Sequence, residues 1–137
     1  MKKRIALICV ALACVFAVTG AYYLFDRIFP KVEYTDCPTV ENIISVTISD
    51  NNNEEAQISN EVLEKILSGI SDAQPSRKQS VNDNPTVSSY CKIEIQTNER
   101  LYCYFVYEEN GVYYIELPYE GVWCTDSDFY STVLQLF

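Results

Sequence analysis

The fold is decided by residues 90–125, YCKIEIQTNERLYCYFVYEENGVYYIELPYEGVWCT. Apolar and polar residues alternate through much of this stretch, and short polar segments interrupt it at regular intervals. Alternation with a period of two is typical of half-buried strands. The pattern predicts four consecutive strands, Tyr90–Gln96, Leu101–Tyr107, Val112–Leu117 and Val122–Thr125. Because Asn110-Gly111 favours a tight hairpin turn, we expect neighbouring strands to pair antiparallel.

Two more strands and a helix are predicted before this stretch. Residues 40–50 alternate in the same way, and a short strand over Glu55–Ile58 is expected to pair back onto them. Ser59 then precedes apolar residues at helical spacing, which predicts a helix running to about Ser71 with Ser59 as its cap.

A second helix is predicted after the stretch, over Ser127–Leu136, with Asp126 as its cap. The element order is therefore ββαββββα. It predicts an α+β domain in which helices pack on one face of an antiparallel sheet of five to six strands.

The N-terminal segment predicts a membrane anchor. Residues 5–25, IALICVALACVFAVTGAYYLF, contain no charge, and Lys2, Lys3 and Arg4 precede them. As a helix this segment would span roughly 31 Å, which matches the hydrocarbon core of a bilayer. Cations before an apolar segment favour an N-terminus inside and a domain outside. We therefore expect a single-pass protein of the cell membrane with a cytoplasmic tip (1–4), a transmembrane anchor or uncleaved signal (5–25), a stalk (26–39) and an extracytoplasmic domain (40–137).

Two alternatives remain open for the N-terminal segment. Val18-Thr19-Gly20-Ala21 contains small residues at which a signal peptide would be cleaved. Cys14, which follows Ala11-Leu12-Ala13, is a poorer match to a lipoprotein signal. Either alternative would make the domain a secreted or lipid-anchored protein after signal cleavage.

The charge distribution excludes one class of partner. Three of the ten basic residues precede residue 26, whereas all 19 acidic residues follow residue 25, so residues 26–137 carry a net charge of −12. A domain this acidic is repelled by nucleic acid and by anionic lipid headgroups, so we expect no nucleic-acid partner. The charge is consistent with simple solubility, or with a basic partner.

Four cysteines follow the anchor, namely Cys37, Cys91, Cys103 and Cys124. Four cysteines permit three pairings, and spacing does not choose among them. Cys91 and Cys103 flank the predicted Thr97–Arg100 turn, so we expect them to face each other, which leaves Cys37 for Cys124. Four free thiols are the alternative.

No motif predicts catalysis or a cofactor. The chain has no His, so a Ser-His or Cys-His nucleophile pair cannot form. The exported cysteines also lack the close spacing of structural zinc sites. Glu116, between Ile115 and Leu117, is the carboxylate nearest to an apolar setting, and strand alternation predicts that it faces outward. We expect a protein that is not an enzyme and that uses no cofactor or metal.

Two segments resemble a known family, PSRKQSVND at residues 75–83 and YYIELPYEGV at residues 113–122. They are similar to domain-of-unknown-function family 5301, whose members are small membrane-anchored or lipoprotein-like domains of Gram-positive bacteria. The resemblance extends from about Ile44 to the C-terminus. It implies an extracytoplasmic location in such a bacterium, and it implies no activity.

The resemblance directs attention to one loop and one turn. The candidate binding residues are Arg77, Lys78, Ser80, Asn82 and Asp83 in the loop, Tyr119 in the turn, and Glu116 just before it. Two cations beside a tyrosine-bearing turn are suited to an anionic or carbohydrate ligand. A rigid structural loop is the alternative, because Asn and Asp side chains bond nearby backbone groups.

The β-strands also carry many tyrosines. Tyr102 and Tyr104 share one face of their strand, and either Tyr113 or Tyr114 must face away from the core. If the helices cover one face of the sheet, an exposed tyrosine patch on the other face is one interpretation, and it would suit a binding surface. Cross-strand packing without a partner is the alternative.

The sequence therefore predicts a non-catalytic binding or sensing module. It would contact the membrane through its N-terminal helix and dock a protein or cell-envelope ligand through the loop and the turn. The alternative is a structural or accessory subunit of a membrane complex whose main contact is the anchor helix.

Overall fold

The computed structural model describes residues 2–33, 37–52 and 54–137, with side chains described from residue 8 onward. Met1 of the predicted tip, residues 34–36 of the predicted stalk and Asn53 of a predicted turn lie outside the described residues. Contacts within the chain divide it into two units, Met1–Lys31 and Val32–Phe137, which are described separately.

The first unit is a single long helix, α1 (Lys2–Ile28). Its segment Ile8–Ile28 has 21 residues and a mean hydropathy of 2.2, and none of its most apolar window is buried. By length and composition this helix is able to cross a membrane. That agrees with the predicted anchor, while its orientation and its cleavage stay predictions.

The second unit is built on a seven-stranded sheet with the spatial order β2-β1-β4-β5-β6-β7-β3 and antiparallel pairing throughout. Its strands are β1 (Ile43–Asp50), β2 (Glu55–Ala56), β3 (Gln74–Pro75), β4 (Cys91–Thr97), β5 (Leu101–Glu109), β6 (Val112–Leu117) and β7 (Gly121–Thr125). A 3₁₀ turn, Val40–Asn42, leads into β1. The predicted α+β class is confirmed.

Two helices cover one face of this sheet, α2 (Asn60–Ser71) and α3 (Ser127–Leu134). The Ser59 side chain accepts the N–H of Val62, and the Asp126 side chain accepts the N–H of Phe129, so both predicted caps are confirmed. The buried residues of the two helices form one core with the strands. This core includes Ile66, Ile70, Phe129 and Val133 from the helices and Ile48, Ile93, Tyr104, Ile115 and Trp123 from the sheet.

Strand β3 was not predicted from the sequence. Residues 72–75 read as the end of α2, and Pro75 argues against a strand. Proline is nevertheless tolerated on an edge strand, where no partner needs its missing N–H. Gln74 and Pro75 occupy that position, opposite Cys124 and Trp123 at the outer edge of β7.

Residues 32–33, within the predicted stalk, are held against the β7 edge. The Val32 N–H donates to the Ser76 carbonyl at 2.9 Å, and the Trp123 indole N–H donates to the Glu33 carbonyl at 2.6 Å. Gly121 leaves room for Val32, because a Cβ there would lie 2.6 Å from a Val32 methyl carbon. Val32 is therefore part of the core of the second unit.

The expected pairing of Cys91 with Cys103 is wrong. The hairpin register places Cys91 opposite Val106 and Cys103 opposite Glu94, so the two thiols lie on opposite faces of the sheet. Cys37 donates its S–H to the Leu67 carbonyl at 3.4 Å, while Cys124 lies between Tyr114 and Gln74. Cys91, Cys103 and Cys124 are free thiols, so neither expected pairing forms.

Of the two interpretations of the strand tyrosines, the structure shows packing and not an exposed patch. Tyr102 and Tyr104 stack on each other with ring centroids 5.9 Å apart, and both are buried under the helices. Tyr113 packs against Tyr130 of α3. On the opposite face of the sheet, Tyr107 is buried and Tyr114 is half-buried. The reason is a loop that covers this second face.

Candidate functional site

The loop of residues 76–89 covers the face of the sheet opposite the helices. Phe105, Glu116 and Val122 lie side by side on that face, on three adjacent strands, and all three are buried. Tyr90 closes one end of the loop by packing edge-on against Phe105, with ring centroids 5.2 Å apart. The sheet is thus buried on both faces in its centre, although only one face carries helices.

Glu116 joins the loop to the sheet. It faces away from the helices, as the alternation predicts, but it is only 6% exposed because the loop lies over it. One of its carboxylate oxygens accepts the Ser80 hydroxyl at 2.7 Å, and the other accepts the Tyr107 hydroxyl at 2.9 Å. Burial, and then the charge of Glu116, raise the pKa of Tyr107 well above its ordinary value. Tyr107 is therefore a neutral donor to this carboxylate.

Ser80 also links the loop to the turn that follows β6. While its hydroxyl donates to Glu116, its oxygen accepts the backbone N–H of Tyr119 at 3.2 Å. Ser80 is 7% exposed, so these two bonds satisfy a hydroxyl that water hardly reaches. The loop and the turn after β6 are consequently fixed to each other through one buried side chain.

Tyr119 stands at the tip of that turn with a left-handed backbone, at φ 64°. The residue is 65% exposed. Its hydroxyl donates to a carboxylate oxygen of Asp83 at 2.8 Å, and this bond is the main reason that the pKa of Tyr119 is raised. Two of the predicted loop residues therefore hold Tyr119, Ser80 at its backbone and Asp83 at its ring.

The two predicted cations of the loop, Arg77 and Lys78, are both half-buried. The Lys78 ammonium forms an ion pair with Glu109 and lies over the Tyr114 ring, with Nζ 4.2 Å from the ring centroid. It is also 5.7 Å from the centroid of Tyr107. Lys78 thus turns inward onto the sheet.

A cleft of about 160 Å³ opens between the loop and the sheet. Among its lining residues are Lys78, Asn82, Tyr107, Glu109 and Glu116. We call the exposed surface formed by residues 77–83 and 118–121, together with this cleft, the loop–turn surface. Six of the predicted residues meet there through hydrogen bonds or a shared cleft, namely Lys78, Ser80, Asn82, Asp83, Glu116 and Tyr119. Arg77 precedes Lys78 in the same loop.

Two residues that line this cleft, Tyr107 and Glu109, are not among the predicted binding residues, and neither is Tyr114, whose ring lies under Lys78. The sequence of the β5–β6 hairpin contains a signal from which the positions of Tyr107 and Tyr114 can be predicted. Its turn at Asn110-Gly111 fixes the register, which places Tyr107 opposite Tyr114 and Phe105 opposite Glu116. All of these side chains then point away from the helices, toward the loop.

Comparisons with known proteins include one family match. The family model DUF5301, described as "Domain of unknown function (DUF5300)", matches residues 31–124. This range contains both segments through which the sequence resembles that family, so the resemblance is confirmed, while the bacterial group and the membrane attachment that it implies stay predictions. No curated protein matches the chain.

A solved structure is also similar to this chain. It is an NMR structure of a protein from Ruminococcus gnavus, which is 36% identical over 69% of this chain and 97% of its own, with a TM-score of 0.57.

Proposed function

Because the chain belongs to family DUF5301, whose description assigns no function, we propose a role from its own geometry. The protein is a non-catalytic binding module, tethered to a membrane by α1, that docks a protein or cell-envelope ligand on the loop–turn surface. The fold supplies a rigid platform for that surface, because the loop is bonded to the sheet through buried side chains.

The observation that carries this proposal is the conformation of Tyr119. A left-handed backbone costs a bulky residue about 1 kcal/mol or more. Tyr119 adopts φ 64°, and the residue is nevertheless 65% exposed. Strain of this kind collects at functional sites, and exposed tyrosines are enriched at binding surfaces. The strain here serves to present an aromatic side chain to a partner.

Val81 adds a second apolar side chain beside Tyr119. It is 69% exposed, and it lies between Ser80 and Asp83, both of which contact Tyr119. Because the loop is already fixed by the Ser80–Glu116 bond, little conformational entropy is lost when a ligand covers it. A pair of apolar side chains on a preorganised loop favours docking.

Two observations support a non-catalytic role. The chain contains no His, so its buried serine has no imidazole base. The hydroxyl of Ser80 instead donates to Glu116 while its oxygen accepts from Tyr119. These two hydrogen bonds hold the turn after β6 in place.

Site-specific photocrosslinking in native membranes tests the proposal. A photoreactive amino acid replaces Val81 in the full chain, and the control places it at Leu101, which is 52% exposed at the start of β5. We expect a discrete adduct from position 81 and none of the same mass from position 101. Tyr119→Ala should weaken the adduct from position 81 by about tenfold or more, as loss of a binding hot spot does.

The opposite results would overturn the proposal. Identical adducts from positions 81 and 101, or an adduct from position 81 that Tyr119→Ala leaves unchanged, would mean that the loop–turn surface does not recognise the partner. If the adduct instead disappears when residues 5–25 are replaced by an unrelated anchor, the main contact is the anchor helix and the protein is an accessory subunit.

A further inference from the structure

The ammonium group of Lys78 occupies a cage built from two rings and one carboxylate. Tyr107 and Tyr114 are cross-strand neighbours whose ring centroids lie 5.5 Å apart. The Lys78 Nζ lies 4.2 Å from the Tyr114 centroid and 5.7 Å from that of Tyr107, and it pairs with Glu109. Aromatic faces combined with a carboxylate are the groups by which proteins recognise ammonium ligands.

The loop keeps its position without the help of this cage. Ser76 is bonded to the Val122 carbonyl through both its hydroxyl and its backbone N–H, and Ser80 is bonded to Glu116. Lys78 lies between these two anchor points. Its side chain can therefore leave the cage by rotation about its own bonds while the backbone of the loop stays fixed.

Lys78 is also held weakly enough to be displaced. The side chains of Lys78 and Glu109 are 38% and 39% exposed, and an ion pair this accessible to water contributes little to stability. The cleft beneath the loop reaches Lys78, Tyr107 and Glu109, so a second ammonium group has a path to the cage.

We propose that the cage of Tyr107, Glu109 and Tyr114 recognises the ammonium group of a lysine side chain on a basic protein partner, which takes the place of the domain's own Lys78. This inference rests on the proposed binding function and names its ligand. The net charge of −12 over residues 26–137 favours a basic partner and speeds its approach. Val81 and Tyr119 lie on the same loop–turn surface and would contact the residues that flank the incoming lysine.

Chemical rescue tests the cage with the full chain in detergent micelles. Lys78→Ala empties the cage, and n-butylammonium chloride is then titrated against sodium chloride at equal ionic strength while the melting temperature is measured. We expect a saturable rise for Lys78→Ala and a smaller rise for the wild type, where Lys78 competes. The matched control is Lys65→Ala, since Lys65 pairs with Glu61 on the exposed face of α2. It should show only the smaller rise of the wild type, whereas Lys78→Ala/Glu109→Gln should show no saturable rise.

A second measurement uses the wild-type protein and does not depend on a variant folding. The ring resonances of Tyr107 and Tyr114 are followed by NMR as the peptide Gly-Gly-Lys-Gly-Gly is added, and its acetyl-lysine form is the control. We expect the lysine peptide to shift both rings and the acetylated peptide to bind about tenfold more weakly or worse, since acetylation removes the charge. Equal shifts by both peptides, together with equal melting curves in all variants, would overturn the inference.

The two experiments separate this inference from the proposed function. If position 81 captures a discrete partner but amines affect all variants alike, the ammonium inference is wrong and the binding function stands. If butylammonium rescues Lys78→Ala but no partner-specific adduct forms at position 81, the cage recognises ammonium groups and the docking function is wrong. A free amine that shifts the rings when the lysine peptide does not would assign the cage to small amines and overturn the protein partner.

Discussion

Ser80 contributes one hydroxyl to two hydrogen bonds that join different parts of the fold, Glu116 on β6 and the backbone of Tyr119. Replacing it with alanine leaves a buried carboxylate oxygen and a backbone N–H without this partner. We expect Ser80→Ala to lower the free energy of unfolding by about 1–3 kcal/mol. Urea denaturation measures the change, and Ser88→Ala, in an exposed part of the same loop, is the control with an expected change within about 0.5 kcal/mol. Equal effects of the two substitutions would contradict the joining role of Ser80.

The left-handed backbone of Tyr119 makes a separate prediction at the residue scale. Glycine adopts φ 64° without strain, whereas alanine can adopt this angle only at a steric cost. Both substitutions remove the bond to Asp83, so their difference isolates the backbone. We expect Tyr119→Gly to be more stable than Tyr119→Ala by about 1 kcal/mol, measured by urea denaturation. Both variants should weaken the photocrosslinked adduct from position 81 to the same extent, about tenfold or more, because both lack the ring. Equal stability of the two variants would mean that the turn relaxes and stores no strain.

Cys91 is a buried thiol with suppressed reactivity. It is 3% exposed, and burial, followed by the charge of Asp50, raises its pKa to about 11. Only the thiolate reacts, and a thiol with a pKa of about 11 is about 0.1% ionised at pH 8. We expect iodoacetamide at pH 8 to modify Cys91 far more slowly in the native protein than in urea, as measured by mass spectrometry of its peptide. Equal rates would show that β4 opens readily at this end.

Gly69 sets the distance between α2 and α3. A Cβ at this position would overlap the ring carbons of Phe129. Alanine would favour the helix by about 1 kcal/mol, but overpacking costs about 1–3 kcal/mol. We therefore expect Gly69→Ala to destabilise the protein despite its better helix propensity.

A double-mutant cycle separates the clash from other effects of this substitution. Phe129→Leu removes the ring atoms that the new methyl group would meet, so Gly69→Ala should cost at least about 1 kcal/mol less in that background. Thermal or urea unfolding of the four proteins gives the coupling energy. Additive effects would show that α3 moves away from α2 without loss.

The elements that the sequence predicts are those whose signals are local. Alternating residues and Asn110-Gly111 identify the strands of the β5–β6 hairpin, and Ser59 and Asp126 mark the starts of both helices. The burial of Glu116 is not predictable in this way. It depends on Ser80, which is distant in sequence, and no periodic pattern shows where a polar loop will lie.

The predicted pairing of Cys91 with Cys103 is wrong because it depends on the register of two strands, which no local signal gives. Cys91 and Cys103 are correctly placed on neighbouring strands, but the pairing of Gln96 with Leu101 sets a register that puts them on opposite faces. A shift of one residue exchanges the two faces of a strand, so a prediction that is right about the hairpin is still wrong about the contact. The family resemblance located the loop and the turn, yet their mutual contacts became visible only in the structure.

At the scale of the whole molecule, α1 is long and apolar enough to cross a membrane, and the proposed tether makes a prediction about which side the domain lies on. The apolar residues 5–25 follow Lys2, Lys3 and Arg4, while Arg27 and Lys31 follow the segment. Orientation follows the bias in lysine and arginine near the ends of a segment, and acidic residues count little. The bias is therefore three cations against two, and it favours an N-terminus inside. The loop–turn surface would then face the cell exterior.

A bias this small makes the orientation sensitive to charge, which gives a sharp prediction. A reporter that is active only outside the membrane, fused after Phe137, should be active in the wild-type chain. Replacing Lys2, Lys3 and Arg4 with serine leaves Arg27 and Lys31 as the dominant cations, so we expect most of the activity to be lost. Arg27→Ser/Lys31→Ser is the control and should keep the activity or raise it. Activity that survives the first replacement and falls with the second would reverse the assigned orientation, and the partner of the loop–turn surface would have to be sought inside the cell.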